Sequence, residues 1–148
     1  MDNAQAITKQ VLQAIENQDF TAARALLSDD FKFSGAVPVP IGPDEWLGVH
    51  KALAAAMPDF SFHYQPKGGD ENNAKGTVQV GGTHNGTLSL PIPGTPTIPA
   101  TGKKILNPVE HVSAKEENGK LTEYVVEHLA DGGVVGIISQ MGAAVPAH

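Results

Sequence analysis

The chain has 148 residues, 41% of them hydrophobic, no cysteine and a formal net charge of -6. This length supports a single core without disulfides or structural metal. The missing cysteines exclude a thiolate nucleophile and cysteine-based zinc sites, and ten scattered Lys and Arg residues argue against a nucleic-acid surface.

Residues 4 to 17 place Ile7, Val11, Ala14 and Ile15 at steps of three and four, with Lys9, Gln10, Gln13 and Glu16 between them. That spacing predicts an amphipathic helix. Asp19 is placed to cap a shorter second helix running to about Ser28. Asp30 to Ser34 alternates Phe31 and Phe33 with Lys32, as a half-buried strand does. GAVPVPIGPD then breaks regular structure, and Pro43 opens a third helix to about Met57, with Trp46, His50, Leu53 and Met57 on its inner face.

Asp59 to Gln65 alternates Phe60, Phe62 and Tyr64 with Ser61 and His63, predicting another strand. KGGDENNAKG turns the chain into a strand over Thr77 to His84, where Gly81 and Gly82 mark a bulge. The proline-rich run from Asn85 to Ala100 reads as a short strand at Thr87 to Leu90 followed by a loop. Thr101 to Asp131 reads as two strands joined by a turn at Glu116-Glu117-Asn118-Gly119. Val134 to Met141 is expected as a short strand or irregular edge, and residues 143–148 as a flexible tail. One domain over 1–148 is expected, of the α+β class, with three N-terminal helices packed on one face of a curved, mostly antiparallel sheet.

The late hairpin gathers the candidate chemistry. With uninterrupted alternation, Leu121, Glu123, Val125, Glu127 and Leu129 share one strand face, and a tight turn sets His111 nearly opposite Val125, diagonal to Glu123 and Glu127. The register decides which of Glu123, Glu127 and Glu110 faces inward, since a slip of one residue exchanges the two faces. A carboxylate in an apolar pocket, oriented by His111, suits proton transfer next to a carbonyl. A solvated strand glutamate with a surface histidine is the competing reading. Trp46 and His50 are candidate pocket walls, as are Phe33, Tyr64, Asn107 and Val125. The histidines at 50, 63, 84, 111 and 128 lack the spacing of common metal sites, so neither metal nor cofactor is expected. No apolar run approaches a membrane span, and the polar N-terminus with Asp2 does not read as a signal peptide, so a cytoplasmic location is expected.

Several segments carry a family likeness: Ala-Ala-Ala-Met-Pro-Asp-Phe at 54–60, Gly-Gly-Thr-His-Asn-Gly at 81–86, Pro-Ala-Thr-Gly-Lys-Lys at 99–104, Glu-Asn-Gly-Lys-Leu at 117–121 and Ser-Gln-Met-Gly at 139–142. In their order and spacing the chain resembles the NTF2-like superfamily, and within it the SnoaL-like polyketide cyclase or ester cyclase branch. The resemblance implies a cone-shaped fold enclosing a pocket for a small hydrophobic carbonyl compound, and a homodimer. It also implies a carboxylate on the last long strand acting as general acid and base without a cofactor. That acid, usually Asp, falls at Leu129 here, so Glu127 or Asp131 would take its place. Cofactor-free catalyst, non-catalytic carrier of a hydrophobic ligand and dimeric interaction module all remain open at this point.

Overall fold

The structure is a computed structural model, described over residues 3–35, 40–91, 97–127 and 132–142. Helix α1 spans Asn3–Glu16 and α2 spans Phe20–Ala25, followed by strand β1 at Leu27–Ser34 and helix α3 at Pro43–Ala56. Strands β2 (Gln65–Gly69), β3 (Asn73–Val78), β4 (Gly81–Thr83), β5 (Lys104–Leu106), β6 (Glu110–Glu117) and β7 (Lys120–Val126) come next, and helix α4 (Gly133–Gln140) closes the order.

The helices form where sequence chemistry directs them. In α1 the apolar stripe buries Ala4, Val11, Leu12 and Ile15. Asp19 caps α2, its side chain accepting from the Ala22 N–H at 3.1 Å. In α3, Pro43 occupies the first turn beside Asp44 and Glu45, which suits the positive end of a helix. Arg24 links α2 to both its neighbours, reaching Asp44 of α3 at 2.9 Å and Asp29 of β1 at 3.0 Å.

The main sheet runs in the order β1-β7-β6-β3-β2, parallel between β1 and β7 and antiparallel elsewhere, and β4 and β5 form a second pair. Helix α1 packs on the main sheet and against α3, with the core between. The architecture is the expected α+β arrangement of helices on a curved, antiparallel-rich sheet, which does not close on itself.

Helix α2 ends at Ala25, short of Ser28, and residues 87–90 make only an isolated bridge, Leu88 to Ile98, in place of the expected strand. Three further segments differ from the sequence expectation. Phe60 and Phe62 are buried, but residues 59–64 make only an isolated bridge, Ser61 to Gly81, and His63 has a φ of 46° that breaks the extended run. The strand begins at Gln65 and consists entirely of exposed residues. As an edge strand it is held by pairing with β3 and needs no apolar face. Second, the strand expected over Thr77 to His84 ends at Val78, and the glycines at 81 and 82 open the separate strand β4. Third, the segment expected as a short strand or irregular edge from Val134 is helix α4. Its β-branched residues favour a strand locally, yet Ile137, Ile138 and Met141 are buried at helical spacing. Gln140 ties the helix to β5 and the residue after it, accepting from the Leu106 N–H at 2.8 Å and donating to Asn107 Oδ1 at 2.9 Å.

The β6–β7 hairpin turns through Asn118 and Gly119, with φ values of 55° and 81°, the left-handed pair that a two-residue turn needs. Glu116 then pairs with Leu121, whereas Lys115 pairs with Glu123. Thr122 is the extra residue of a β-bulge. The bulge reverses the alternation along β7, so Leu121 is buried, and beyond the bulge Tyr124 and Val126 are buried instead of Glu123, Val125 and Glu127.

Candidate functional site

An apolar cavity lies between the helices and the inner face of the sheet. Helix α3 contributes Trp46, Val49, His50 and Leu53; β1 contributes Phe33; the segments leading into β2 and out of β3 contribute Phe60, Phe62 and Val80. Val78 of β3, Glu110 of β6, Tyr124 and Val126 of β7, and Ile137 of α4 complete it. Its volume is about 50 Å³, smaller than the roughly 150 Å³ apolar cavity known to take up benzene. A ligand of that size enters only if the walls separate.

Aromatic packing fixes the wall. Trp46 lies against Phe33 and Tyr124 with ring centroids 5.6 and 5.5 Å away, and meets His50 edge-on at 5.0 Å. His50 in turn packs on Phe62 at 5.3 Å and Phe60 at 5.9 Å. Its Nδ1–H donates to the Trp46 carbonyl one helical turn back, at 2.9 Å. A carbonyl only accepts, so the proton sits on Nδ1 and Nε2 carries a bare lone pair. Burial pushes the His50 pKa down to about 4, against the smaller opposing effect of that hydrogen bond. The imidazole is neutral at neutral pH. Tyr124 is held far above the usual phenol range, first by burial and then by the nearby Tyr64 and Glu110.

Glu110 is the one carboxylate among the described lining residues, and only 3% of its surface is exposed. It reaches the inner face because β6 alternates strictly, with Glu110, Val112, Ala114 and Glu116 inward. Its carboxyl packs on Gly132, the residue preceding α4.

The sequence-derived site is divided by this geometry. Phe33, Trp46 and His50 reach the cavity wall. His111 and Glu127 do face each other across β6 and β7, the Glu127 N–H donating to the His111 carbonyl at 2.8 Å. They stand on the outer sheet face, both exposed, in an open groove with Val125, Lys67, Lys75 and Ser113. The expected position of His111 opposite Val125 is corrected likewise, since Val125 pairs with Ser113. The bulge at Thr122 accounts for this exchange of faces. Tyr64 is half-buried, and its hydroxyl donates to Gln5 Oε1 at 2.6 Å, joining the strand edge to α1 outside the cavity. Asn107 is buried but bonds Gln140 of α4 and does not line the cavity. Asp131, with His128 and Leu129, lies outside the described residues. Glu110 and Tyr124 are the polar wall residues that continuous alternation through Leu121 misassigns. The Val112 and Ala114 alternation on β6 was the signal for Glu110.

A family model described as a SnoaL-like domain matches residues 8–124, most of the chain. The chain belongs to the SnoaL-like domain family. This SnoaL-like domain is 26% identical over 122 residues to the sordarin/hypoxysordarin biosynthesis cluster protein G of Sordaria araneosa, covering 82% of this chain and 77% of that one. Among solved structures it superposes on IdmH from Streptomyces antibioticus with a TM-score of 0.66 at 20% identity, covering 94% of this chain and 98% of that one. A SnoaL-like polyketide cyclase from Agrobacterium tumefaciens matches with a TM-score of 0.61 at 16% identity, over 85% of this chain and 90% of that one. At these identities the structures establish the shared fold. Among the described residues, no helix is long and apolar enough to cross a membrane.

Proposed function

We propose that this SnoaL-like domain binds a small hydrophobic carbonyl compound in the cavity and moves a proton on it without a cofactor, with Glu110 as acid and base. The observation that carries this reading is a buried carboxylate set in an otherwise apolar and aromatic wall. Glu110 takes a proton from the carbon next to the carbonyl, leaving an enolate and a neutral carboxylic acid. The enolate carbon attacks a second carbonyl in an aldol-type closure, or is reprotonated at another carbon in an isomerisation. In the aldol case Glu110 returns its proton to the new alkoxide, so no net proton is gained or lost. His50 takes no part as an acid, because its ring is neutral and its Nδ1–H is engaged.

The test is α-proton exchange of a small cyclic ketone in deuterated water, followed by proton NMR. Wild-type protein accelerates exchange over buffer, and Glu110→Gln, which keeps the side-chain shape, removes roughly a hundredfold or more of that acceleration. Equal exchange by both proteins sinks the assignment of Glu110. The contact between Glu110 and Gly132 favours a second reading, in which the carboxyl serves the start of α4 and the cavity only carries a ligand. In that case ligand binds and exchange stays at the buffer rate. A homodimer, which the family likeness implies, is also proposed; light scattering showing a monomer at micromolar concentration removes it.

A further inference from the structure

Two ring nitrogens on α3 make no hydrogen bond among the described residues. The indole Nε1–H of Trp46 is buried and has no acceptor among the described residues. Nε2 of His50 likewise has no hydrogen-bond partner among the described residues, its ring being anchored through Nδ1 alone. Both side chains line the cavity, one helical turn apart on α3, with their rings in edge contact at 5.0 Å. Their needs are opposite. Trp46 can only donate, and His50, with its proton held on Nδ1, can only accept at Nε2. The indole nitrogen is fully buried without a partner, a standing cost to the fold that a ligand supplying an acceptor removes. Nε2 of His50 keeps some accessible surface, so a ligand can reach it.

A carbonyl oxygen answers Trp46 and nothing else. A hydroxyl group answers either atom, since it donates once and accepts through its lone pairs. We propose that the cavity selects a compound presenting a hydroxyl, such as an enol, a phenol or a β-hydroxycarbonyl, whose O–H donates to Nε2 of His50 while an oxygen of the same ligand takes the Trp46 indole N–H. The neutral imidazole enforced by burial keeps that lone pair available at neutral pH. A site built around a hydroxyl discriminates against analogues lacking it, because its own polar atom is then covered by apolar ligand surface and left unpaired. This inference rests on the reading of the cavity as a ligand site, and it deepens that reading. An aldol-type closure produces a β-hydroxycarbonyl, which offers the donor and the acceptor together.

The experiment compares cyclohexanol, cyclohexanone and methylcyclohexane, three compounds of similar size, by calorimetric titration. The emission of the single tryptophan, Trp46, reports whether binding occurs at the cavity. Wild-type protein is expected to bind the alcohol about tenfold tighter than the ketone, a ratio equivalent to one lost hydrogen bond. In His50→Phe, which keeps a ring against Phe60 and Phe62 but has no acceptor, that preference falls below about twofold, and His50→Gln, whose amide oxygen can accept, restores part of it. Equal binding of alcohol and ketone by wild-type protein overturns the hydroxyl proposal while leaving the ligand site standing, and needs no variant to fold. Survival of the alcohol preference in a folded His50→Phe also overturns it. Failure of all three compounds to bind overturns both the proposal and the ligand-site reading beneath it.

Discussion

The carboxyl of Glu110 packs so closely on Gly132 that a Cβ added to that glycine would lie 2.6 Å from Oε2 and 2.7 Å from the carboxyl carbon. The backbone at Gly132, with φ of -107° and ψ of -171°, is open to any residue. A side chain there would meet the carboxyl end of Glu110, which must shift to admit it. Gly132→Ala is expected to push the carboxyl from its seat, lowering stability by about 1–3 kcal/mol as overpacking does and reducing turnover more than it reduces ligand binding. Thermal melts paired with the proton-exchange assay check this.

His111 and Glu127 give the contrasting case. Both are exposed on the outer sheet face and share no wall with Glu110. His111→Ala and Glu127→Gln are expected to change stability by no more than about 0.5 kcal/mol, as surface substitutions do, and to leave exchange activity at the wild-type rate. A large loss of activity in either variant would return the chemistry to the outer face.

Thr122 sets which residues of β7 reach the core. Deleting it would restore uninterrupted alternation between Leu121 and the rest of the strand. Either Leu121 would leave the core, or Glu123, Val125 and Glu127 would turn inward in place of Tyr124 and Val126. The deletion is expected to abolish cooperative folding, whereas Thr122→Ala, which keeps the residue count, costs no more than about 1 kcal/mol. Chemical denaturation followed by circular dichroism separates the two outcomes.

His50 makes the fold acid-sensitive. Its folded pKa of about 4 lies below the ordinary histidine value of 6.5, so between these values the unfolded chain binds a proton that the folded protein does not. Stability therefore falls as pH drops from about 6.5 to about 4, by roughly 3 kcal/mol for this one group, and carries no such penalty above pH 6.5. His50→Phe is expected to flatten that part of the stability profile, measured by urea unfolding at a series of pH values.

The amino-acid sequence by itself determined the elements whose chemistry is local. The apolar stripe of α1, the Asp19 cap, the proline that opens α3 and the Asn118-Gly119 turn all formed as their residues dictate, and the order of helices and strands carried the α+β class. Trp46, His50 and Phe33 stand on the cavity wall, where a helix period and a short strand leave little choice of face. Tertiary structure decided the rest. A single extra residue at Thr122 exchanged the faces of β7, which no periodicity count detects when the apolar residues on either side each fit a period of two. Edge pairing made a strand of the polar run at Gln65–Gly69, and burial of Ile137, Ile138 and Met141 made a helix of a segment rich in strand-forming residues. The candidate acid consequently moved from Glu127 to Glu110, from the last strand to its neighbour, where strict alternation turns a glutamate toward the aromatic wall.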